Sequence, residues 1–120
     1  RQYRYSVDEF LLELPAGGVE DGETPEEAAQ RELKEEIGFG AGCLRRLGGF
    51  WVSPGYCTEF MYAYLANDLQ PTILPSDWDE DIEVEKMPVP EAIELINRGE
   101  IRDSKTIAVL LMSLQYLKLN

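Results

Sequence analysis

The sequence predicts one domain of mixed α/β class (α+β), in which short strands and helices follow one another along the chain. Its 120 residues fit one hydrophobic core and leave little room for a second. Strand-like segments open the chain and fill its middle, and helix-start signals occur at three places. We therefore expect residues 1–120 to form a single domain with one functional site.

Strands are predicted where aromatic and apolar residues run between turn-forming residues. The predicted strands are Arg1 to Tyr5, Glu9 to Leu14, Leu44 to Val52, Glu59 to Ala66 and Ile82 to Glu85. Ser53-Pro54-Gly55-Tyr56 forms a turn between the third and fourth strands. An acidic stretch at 77–81 precedes the fifth strand, and we expect its charges to be solvated rather than to bind a metal.

Three helices follow from start and stop signals. Thr24-Pro25-Glu26-Glu27 combines a hydroxyl N-cap, proline at the first helical position and glutamate at the third, which is a capping box. Gly38 ends this helix. Pro90 to Asn97 is a second predicted helix, and Ser104 is expected to cap a third that runs to about Leu119.

The charge and residue usage limit the chemistry. A net charge of −12 repels a nucleic-acid backbone, so we expect no nucleic-acid partner. No apolar run reaches the roughly 20 residues that cross a bilayer, and the N-terminus lacks a signal peptide, so a cytoplasmic location without membrane contact is expected. The chain has no histidine and only two cysteines, which disfavours a zinc site. Carboxylates, lysine, tyrosine or metal-bound water remain as catalytic groups.

Three glutamates of the first helix are spaced to share one face. Glu32, Glu35 and Glu36 lie three and four residues apart, at the margin of the apolar stripe of that helix. Like charges in this arrangement repel, and a divalent cation would relieve the repulsion. Mg²⁺ and Mn²⁺ prefer hard oxygen ligands of this kind. The alternative is an acidic, solvated helix surface.

The spacing around this helix resembles the Nudix box: glycine, five residues, glutamate, seven residues, then Arg-Glu-apolar-any-Glu-Glu-any-Gly-apolar. The matching positions are Gly17, Glu23, Arg31, Glu32, Leu33, Glu35, Glu36, Gly38 and Phe39. Three further segments resemble the ADP-ribose pyrophosphatase branch of this superfamily. They are residues 1–4, the Ser53-Pro54-Gly55 turn followed by Glu59, and residues 102–106.

The resemblance implies a Nudix-type α/β/α sandwich, with a mixed sheet between helices, and a metal site on the first helix. Glu32, Glu35 and Glu36 resemble metal ligands, together with the backbone carbonyl of Ala16. Arg31 is expected to pair with neighbouring carboxylates and to fix their rotamers, or else to stay solvated. The expected structural roles are that Glu23 holds the loop against the helix and that Gly17 and Gly18 adopt backbone conformations closed to other residues.

Outside the box, the resemblance implies further site residues. Glu59 resembles a catalytic base or an additional metal ligand, although an exposed strand-edge acid is the alternative. Arg1 and Arg4 resemble arginines that contact the substrate's phosphates or terminal ribose, since guanidinium suits bidentate phosphate binding. Pro54 and Gly55 are expected beside the substrate, or to form an ordinary turn.

The activity that the resemblance implies is hydrolysis of ADP-ribose to AMP and ribose 5-phosphate with two or more Mg²⁺ or Mn²⁺ ions. Another nucleotide sugar or a nucleoside triphosphate is the alternative substrate, and a non-catalytic ADP-ribose sensor is the alternative function. Members of this branch carry strands before the segment at which this chain starts, and these help to recognise adenine and to form a dimer. Either this chain is truncated, or the protein completes its sheet and pocket in another way, for example as a homodimer, which we expect. If the preceding strands supply an aromatic clamp, we expect a less selective pocket in which Tyr3, Tyr5, Trp51, Tyr56 or Trp78 stacks on a base; the alternative is that these aromatic residues belong to the core or the surface.

Overall fold

The computed structural model describes residues 1–72 and 82–117; the acidic stretch at 77–81, including Trp78, lies outside them. The described elements are β1 (Gln2–Arg4), β2 (Glu9–Leu11), α1 (Pro25–Ile37), β3 (Phe39–Trp51), β4 (Phe60–Pro71), α2 (Val89–Asn97) and α3 (Ser104–Leu117). The chain divides into two compact units. The first comprises Arg1–Leu14, Gly49–Met61 and the described part of 82–120, and the second comprises Pro15–Gly48 and the described part of 62–81.

The first unit begins with an antiparallel strand pair, as predicted. Tyr3 lies opposite Phe10 in the register of β1 and β2, and their rings are 5.2 Å apart. Both strands are shorter than the sequence predicts. The predicted strand at Ile82 to Glu85 is reduced to one antiparallel bridge between Gln2 and Ile82. Four residues in which charged and apolar side chains alternate indicate a strand, but only Ile82 forms a bridge, beside a backbone hydrogen bond from the Glu83 N–H to the Arg1 carbonyl at 3.1 Å.

Helices α2 and α3 enclose the core of the first unit. Ala92, Ile101 and Leu110 are buried there and are surrounded by partly buried apolar side chains. The predicted cap of α3 is wrong by one residue. Asp103, not Ser104, accepts a hydrogen bond from the Thr106 N–H at 3.0 Å, because the helix already includes Ser104. None of the described helices is long and apolar enough to cross a membrane.

Helix α1 of the second unit begins and ends where the sequence predicts. The Thr24 side chain accepts from the Glu27 N–H at 3.1 Å, and the Glu27 carboxylate accepts from the Thr24 N–H at 3.2 Å, which completes the capping box. At the other end, Gly38 is left-handed (φ 77°) and its N–H donates to two carbonyls of the last turn. Both ends of the glutamate-bearing helix are therefore fixed by local hydrogen bonds.

Strands β3 and β4 pair as a hairpin around the turn at 52–59. They are antiparallel, since so short a connection cannot join parallel neighbours. β3 begins at Phe39, five residues before the predicted start. Glycine usually weakens a strand, so the sequence does not predict one at the glycine-rich residues 40–42, but the strand continues through them. Among the described apolar residues of the second unit, Ala28 on α1 and Ala63 on β4 are buried.

Candidate functional site

The site is built from the loop at 15–23 and the face of α1 that follows it. Along this face Glu32 is largely buried, with 14% of its side chain exposed, whereas 42% of the Glu35 side chain is exposed. Glu36 is half-buried. Glu32 and Glu36 are therefore partly withdrawn from solvent, whereas Glu35 is exposed.

Arg31 connects the helix to the loop through its whole guanidinium group. Its Nε and Nη2 form a two-pronged contact with the Glu23 carboxylate at 2.9 and 3.1 Å, and Nη2 also donates to the Gly18 carbonyl at 2.7 Å. Its Nη1 donates to Glu32 at 2.7 Å and to Glu35 at 3.2 Å. Planar, delocalised guanidinium can serve these directions at once, which an ammonium group cannot.

This network shifts the pKa of both principal partners. The pKa of Arg31 is raised, mainly because Glu23 accepts its hydrogen bonds, while desolvation works in the opposite direction. The pKa of Glu23 is lowered, first by the hydrogen bond from Arg31 and second by the Glu20 N–H, which donates to it at 3.0 Å. Glu23 is therefore ionised at neutral pH and holds the loop to Arg31.

The structural reason for Gly17 differs from the prediction. Neither Gly17 nor Gly18 has a positive φ, so the expectation of backbone conformations closed to other residues is wrong. A Cβ added to Gly17 would instead lie 2.0 Å from both Cδ and Oε1 of Glu32. Gly17 is required for space, because the Glu32 carboxylate occupies the volume of a side chain. An added Cβ at Gly18 meets nothing within 4 Å.

The structure also brings Ala16 and Glu36 together. The Ala16 N–H donates to Glu36 Oε2 at 3.1 Å, so the residue whose carbonyl was expected to bind metal lies beside one of the expected carboxylate ligands. The loop is thereby attached to α1 at both Arg31 and Glu36. This attachment depends on contacts between residues far apart in sequence.

The donor set suits a hard divalent ion. Carboxylates of Glu32, Glu35 and Glu36 supply oxygen ligands, and the missing side chain at Gly17 leaves the Glu32 carboxylate room beside the loop backbone. Arg31 uses Oε1 of Glu32 and Oε2 of Glu35, which leaves one oxygen of each for a cation. Within 1–72 and 82–117, no three acidic, cysteine or histidine side chains converge as a ready-made metal cluster.

On the other side of α1, several contacts were not foreseen from the sequence. The Gln30 amide forms two hydrogen bonds with the backbone of Ala41, at 2.6 and 2.9 Å. The Glu26 carboxylate accepts from Arg46 at 2.7 Å and from the Tyr64 hydroxyl at 2.9 Å. No local sequence signal marks these partners, because they meet only when α1 lies on the hairpin.

In the first unit, the two predicted substrate arginines pair with carboxylates. Arg4 donates through Nε and Nη2 to both oxygens of Glu13, each at 2.6 Å, and only 9% of the Glu13 side chain is exposed. Arg1 Nε donates to Glu85 at 3.0 Å. The sequence analysis missed Glu13. The sequence placed Glu13 inside the predicted strand from Glu9 to Leu14, with no signal for a pairing with Arg4.

The predicted turn after β3 is present in the first unit. The Ser53 carbonyl accepts hydrogen bonds from the N–H groups of Tyr56 and Cys57, at 3.2 and 3.0 Å. Pro54 and Gly55 are exposed within it. Glu59 is also exposed, and its backbone carbonyl accepts from the Val52 N–H at 3.0 Å, which leaves its carboxylate at the surface.

The aromatic residues considered as base-stacking groups differ in exposure. Tyr5 and Tyr56 are 90% and 88% exposed, whereas Trp51 packs edge-on against Phe60 with ring centroids 5.0 Å apart. Tyr3 donates a hydrogen bond to Asp8, which raises the pKa of its hydroxyl. Of the four described candidates, Tyr5 and Tyr56 are the most accessible to a ligand.

Comparison with known proteins identifies the relatives of this chain. The NUDIX domain family model matches residues 1–110. The chain is 36% identical over 121 residues to the ADP-ribose pyrophosphatase of Bacillus subtilis (strain 168), covering 99% of this chain and 63% of that protein. It is 34% identical over 119 residues to the GDP-mannose pyrophosphatase of Salmonella typhi, covering 92% of this chain and 62% of that protein.

A solved structure gives the same result for the fold. The crystal structure of an ADP compounds hydrolase matches with a TM-score of 0.89 and 30% identity, over 98% of this chain and 64% of that one. The predicted Nudix-type α/β fold is thereby confirmed. The chain spans less than two thirds of the length of each of these relatives.

Proposed function

The chain belongs to the NUDIX domain family, and from this premise we propose that it hydrolyses the diphosphate bridge of a nucleoside diphosphate linked to a second group. The proposed substrate is ADP-ribose, and the products are AMP and ribose 5-phosphate. Sequence identity of 36% to an ADP-ribose pyrophosphatase, over 99% of this chain, supports this choice. The observation that carries the proposal is the contact of Arg31 with Glu32 and Glu35, beside the space that Gly17 leaves.

A diphosphate resists hydrolysis because its negative oxygens repel an incoming hydroxide. Nudix proteins generally need divalent metal ions for this reaction. We assign Glu32, Glu35 and Glu36, with the Ala16 carbonyl, to hold two or more Mg²⁺ or Mn²⁺ ions. Such ions lower the pKa of bound water and neutralise phosphate oxygens.

The protein's own residues then position the reacting groups. Arg31 restrains the side chains of Glu32 and Glu35 before substrate binds. The conformational entropy of these side chains is therefore already lost when the reaction begins. Glu59 is proposed to accept the proton of the attacking water or to bind a further ion. Arg1 and Arg4 are proposed to contact the phosphates or the terminal ribose. For Arg4, this contact competes with the Glu13 carboxylate.

A second candidate substrate is another nucleotide sugar. The identity to a GDP-mannose pyrophosphatase favours it, because that protein is nearly as similar to this chain as the ADP-ribose enzyme. Both substrates contain a diphosphate bridge, and they differ in the base, in the sugar and in the sugar carbon to which the bridge is attached. The candidate site on α1 would serve either of them without change.

A substrate panel tests the proposal. The purified chain is incubated with ADP-ribose, GDP-mannose and ATP, each with Mg²⁺ and with Mn²⁺, and the phosphate products are separated by ion-exchange chromatography. We expect AMP and ribose 5-phosphate in equal amounts from ADP-ribose. GMP from GDP-mannose at a higher kcat/KM would select the second candidate.

Calorimetry with ADP-ribose and Mg²⁺ separates turnover from binding. Binding without AMP release would identify a sensor and contradict the proposal.

The homodimer and the cytoplasmic location remain predictions. Sedimentation of the purified chain checks the first, and cell fractionation checks the second.

A further inference from the structure

Gln30 on α1 binds the backbone of β3 as a neighbouring strand would. Its Nε2 donates to the Ala41 carbonyl at 2.6 Å, and its Oε1 accepts from the Ala41 N–H at 2.9 Å. One side chain thus satisfies both polar groups of a strand residue. The contact is partly buried, so removal of the amide would take one hydrogen-bond partner from each of two backbone groups in a region with little access to water.

A second contact lies one helical turn earlier on the same side of α1. Glu26 accepts hydrogen bonds from Arg46 on β3 and Tyr64 on β4. At about 100° per residue, Glu26 and Gln30 project within about 40° of each other. Two polar attachments one turn apart hold this side of α1 against β3 and β4 and so oppose rotation of the helix about its own axis.

The candidate metal ligands project from the opposite side of the same helix. By the same periodicity, Glu32, Glu35 and Glu36 lie about 120° to 160° around the helix from Gln30. The outer surface of a helix lies roughly 5–6 Å from its axis, so a rotation of about 10° moves a carboxylate by about 1 Å. Misplacement by about 1 Å can cost on the order of 100-fold in rate. The rate of hydrolysis should therefore depend strongly on the rotation of α1 about its axis.

We propose that Gln30 is a positioning residue: its amide, held by Ala41, sets the rotation of α1 and thereby the direction in which Glu32, Glu35 and Glu36 present their carboxylates to divalent ions. Gln30 touches neither substrate nor ion and acts through the helix. The inference rests on the proposed function for its kinetic readout. Its metal-affinity readout is independent of any substrate.

The test compares Gln30→Met with a control that lowers stability away from α1. Methionine matches the length of glutamine and lacks the amide, whereas Ile101→Val removes one methyl group from the core formed with α2 and α3. Mn²⁺ affinity is measured from the electron paramagnetic resonance signal of free Mn²⁺. Ala41 amide exchange and the kcat and KM for ADP-ribose complete the set.

For Gln30→Met we expect faster exchange of the Ala41 amide and Mn²⁺ binding about tenfold weaker, in line with losses of groups that orient metal ligands. kcat at saturating Mn²⁺ should fall, with KM little changed. Ile101→Val should lower the Tm and leave Mn²⁺ affinity unaltered. Gln30→Asn, which keeps an amide too short to reach Ala41, should repeat the loss of affinity and serves if the methionine variant does not fold.

Mn²⁺ affinity unchanged from wild type in the folded Gln30 variants would overturn the inference and leave Gln30 with a role in stability only. Wild-type protein that binds Mn²⁺ but hydrolyses nothing in the panel would refute the proposed function, while the affinity comparison would still decide the role of Gln30. Wild-type protein that binds no Mn²⁺ would overturn both.

Discussion

Gly17 lies directly against Glu32, in the position that a side chain would otherwise fill: an added Cβ would be 2.0 Å from the Glu32 Cδ. We expect Gly17→Ala to move the Glu32 carboxylate away from the loop. The end of a glutamate side chain can rotate, so the fold should survive, while hydrolysis should fall about 10- to 100-fold through loss of a ligand's position. Steady-state kinetics at saturating Mg²⁺ measure this.

Gly18→Ala is the matched control for that prediction. Its added Cβ meets nothing within 4 Å, and its φ is not positive. We expect near-normal turnover and an unchanged Tm. Equal losses in the two variants would show that the loop needs glycine flexibility and that the contact with Glu32 is irrelevant.

Arg31→Lys should impair activity even though it preserves the charge. Lysine cannot contact both oxygens of Glu23 while also reaching Glu32 and the Gly18 carbonyl. Glu32 and Glu35 then lose their shared donor, and we expect turnover to fall about 10- to 100-fold. Arg98→Lys, in the exposed ion pair with Glu100, is the control and should retain full activity. Full activity in Arg31→Lys would exclude an ordering role for the guanidinium.

Local chemistry explains which parts of this molecule can be predicted from sequence. Thr24, Glu27 and Gly38 set the ends of α1 through bonds to residues three to five positions away, so the sequence contains the whole signal. The common face of Glu32 and Glu35 follows from helical periodicity in the same way. The residue spacing of the Nudix box then identifies the fold, which these local signals alone do not determine.

Contacts between distant residues could not be predicted. The space beside Gly17 depends on where Glu32 lies after the loop folds back, and a glycine in a sequence does not distinguish crowding from a positive φ. The bond between Gln30 and Ala41 needs the position of α1 on β3, and the pairing of Arg4 with Glu13 needs the path of the chain after β2. Each of these is a tertiary relationship without a local pattern.

Thr24→Ala should destabilise the second unit without altering chemistry. It removes the oxygen that accepts from the Glu27 N–H and breaks the capping box. Loss of an N-cap costs about 1 kcal/mol, which corresponds to a fall in Tm of about 4 °C for a chain of this size. Differential scanning calorimetry measures it, with the exposed Thr58→Ala as control. An unchanged Tm would mean that α1 is fixed by its tertiary contacts alone.

Glu23 should make stability depend on pH in the acid range. Its pKa is lowered in the folded protein from an ordinary value of 4.5, chiefly by the Arg31 hydrogen bond. A carboxyl group with a depressed folded pKa contributes stability fully above its unfolded pKa and loses that contribution as pH falls through the folded value. Wild type should therefore exceed Glu23→Gln in Tm at pH 7, and the difference should shrink below about pH 4.5.

Thermal unfolding of both proteins between pH 7 and pH 3 measures this difference. Glu94→Gln, at an exposed position of α2, provides the control and should follow wild type throughout. A gap between wild type and Glu23→Gln that stays constant down to pH 3 would show that Glu23 acts through packing rather than through its charge.

Glu36→Gln should separate the charge of this residue from its hydrogen bond. The glutamine oxygen can still accept from the Ala16 N–H, so the loop should stay attached and the Tm should remain close to wild type. The negative charge that the proposed metal site needs is lost, and we expect turnover to fall by about 100-fold or more. Glu94→Gln makes the same chemical change outside the site and should leave kcat unaltered. Near-normal turnover in Glu36→Gln would remove Glu36 from the proposed ligand set, because a neutral amide binds Mg²⁺ far more weakly than a carboxylate does.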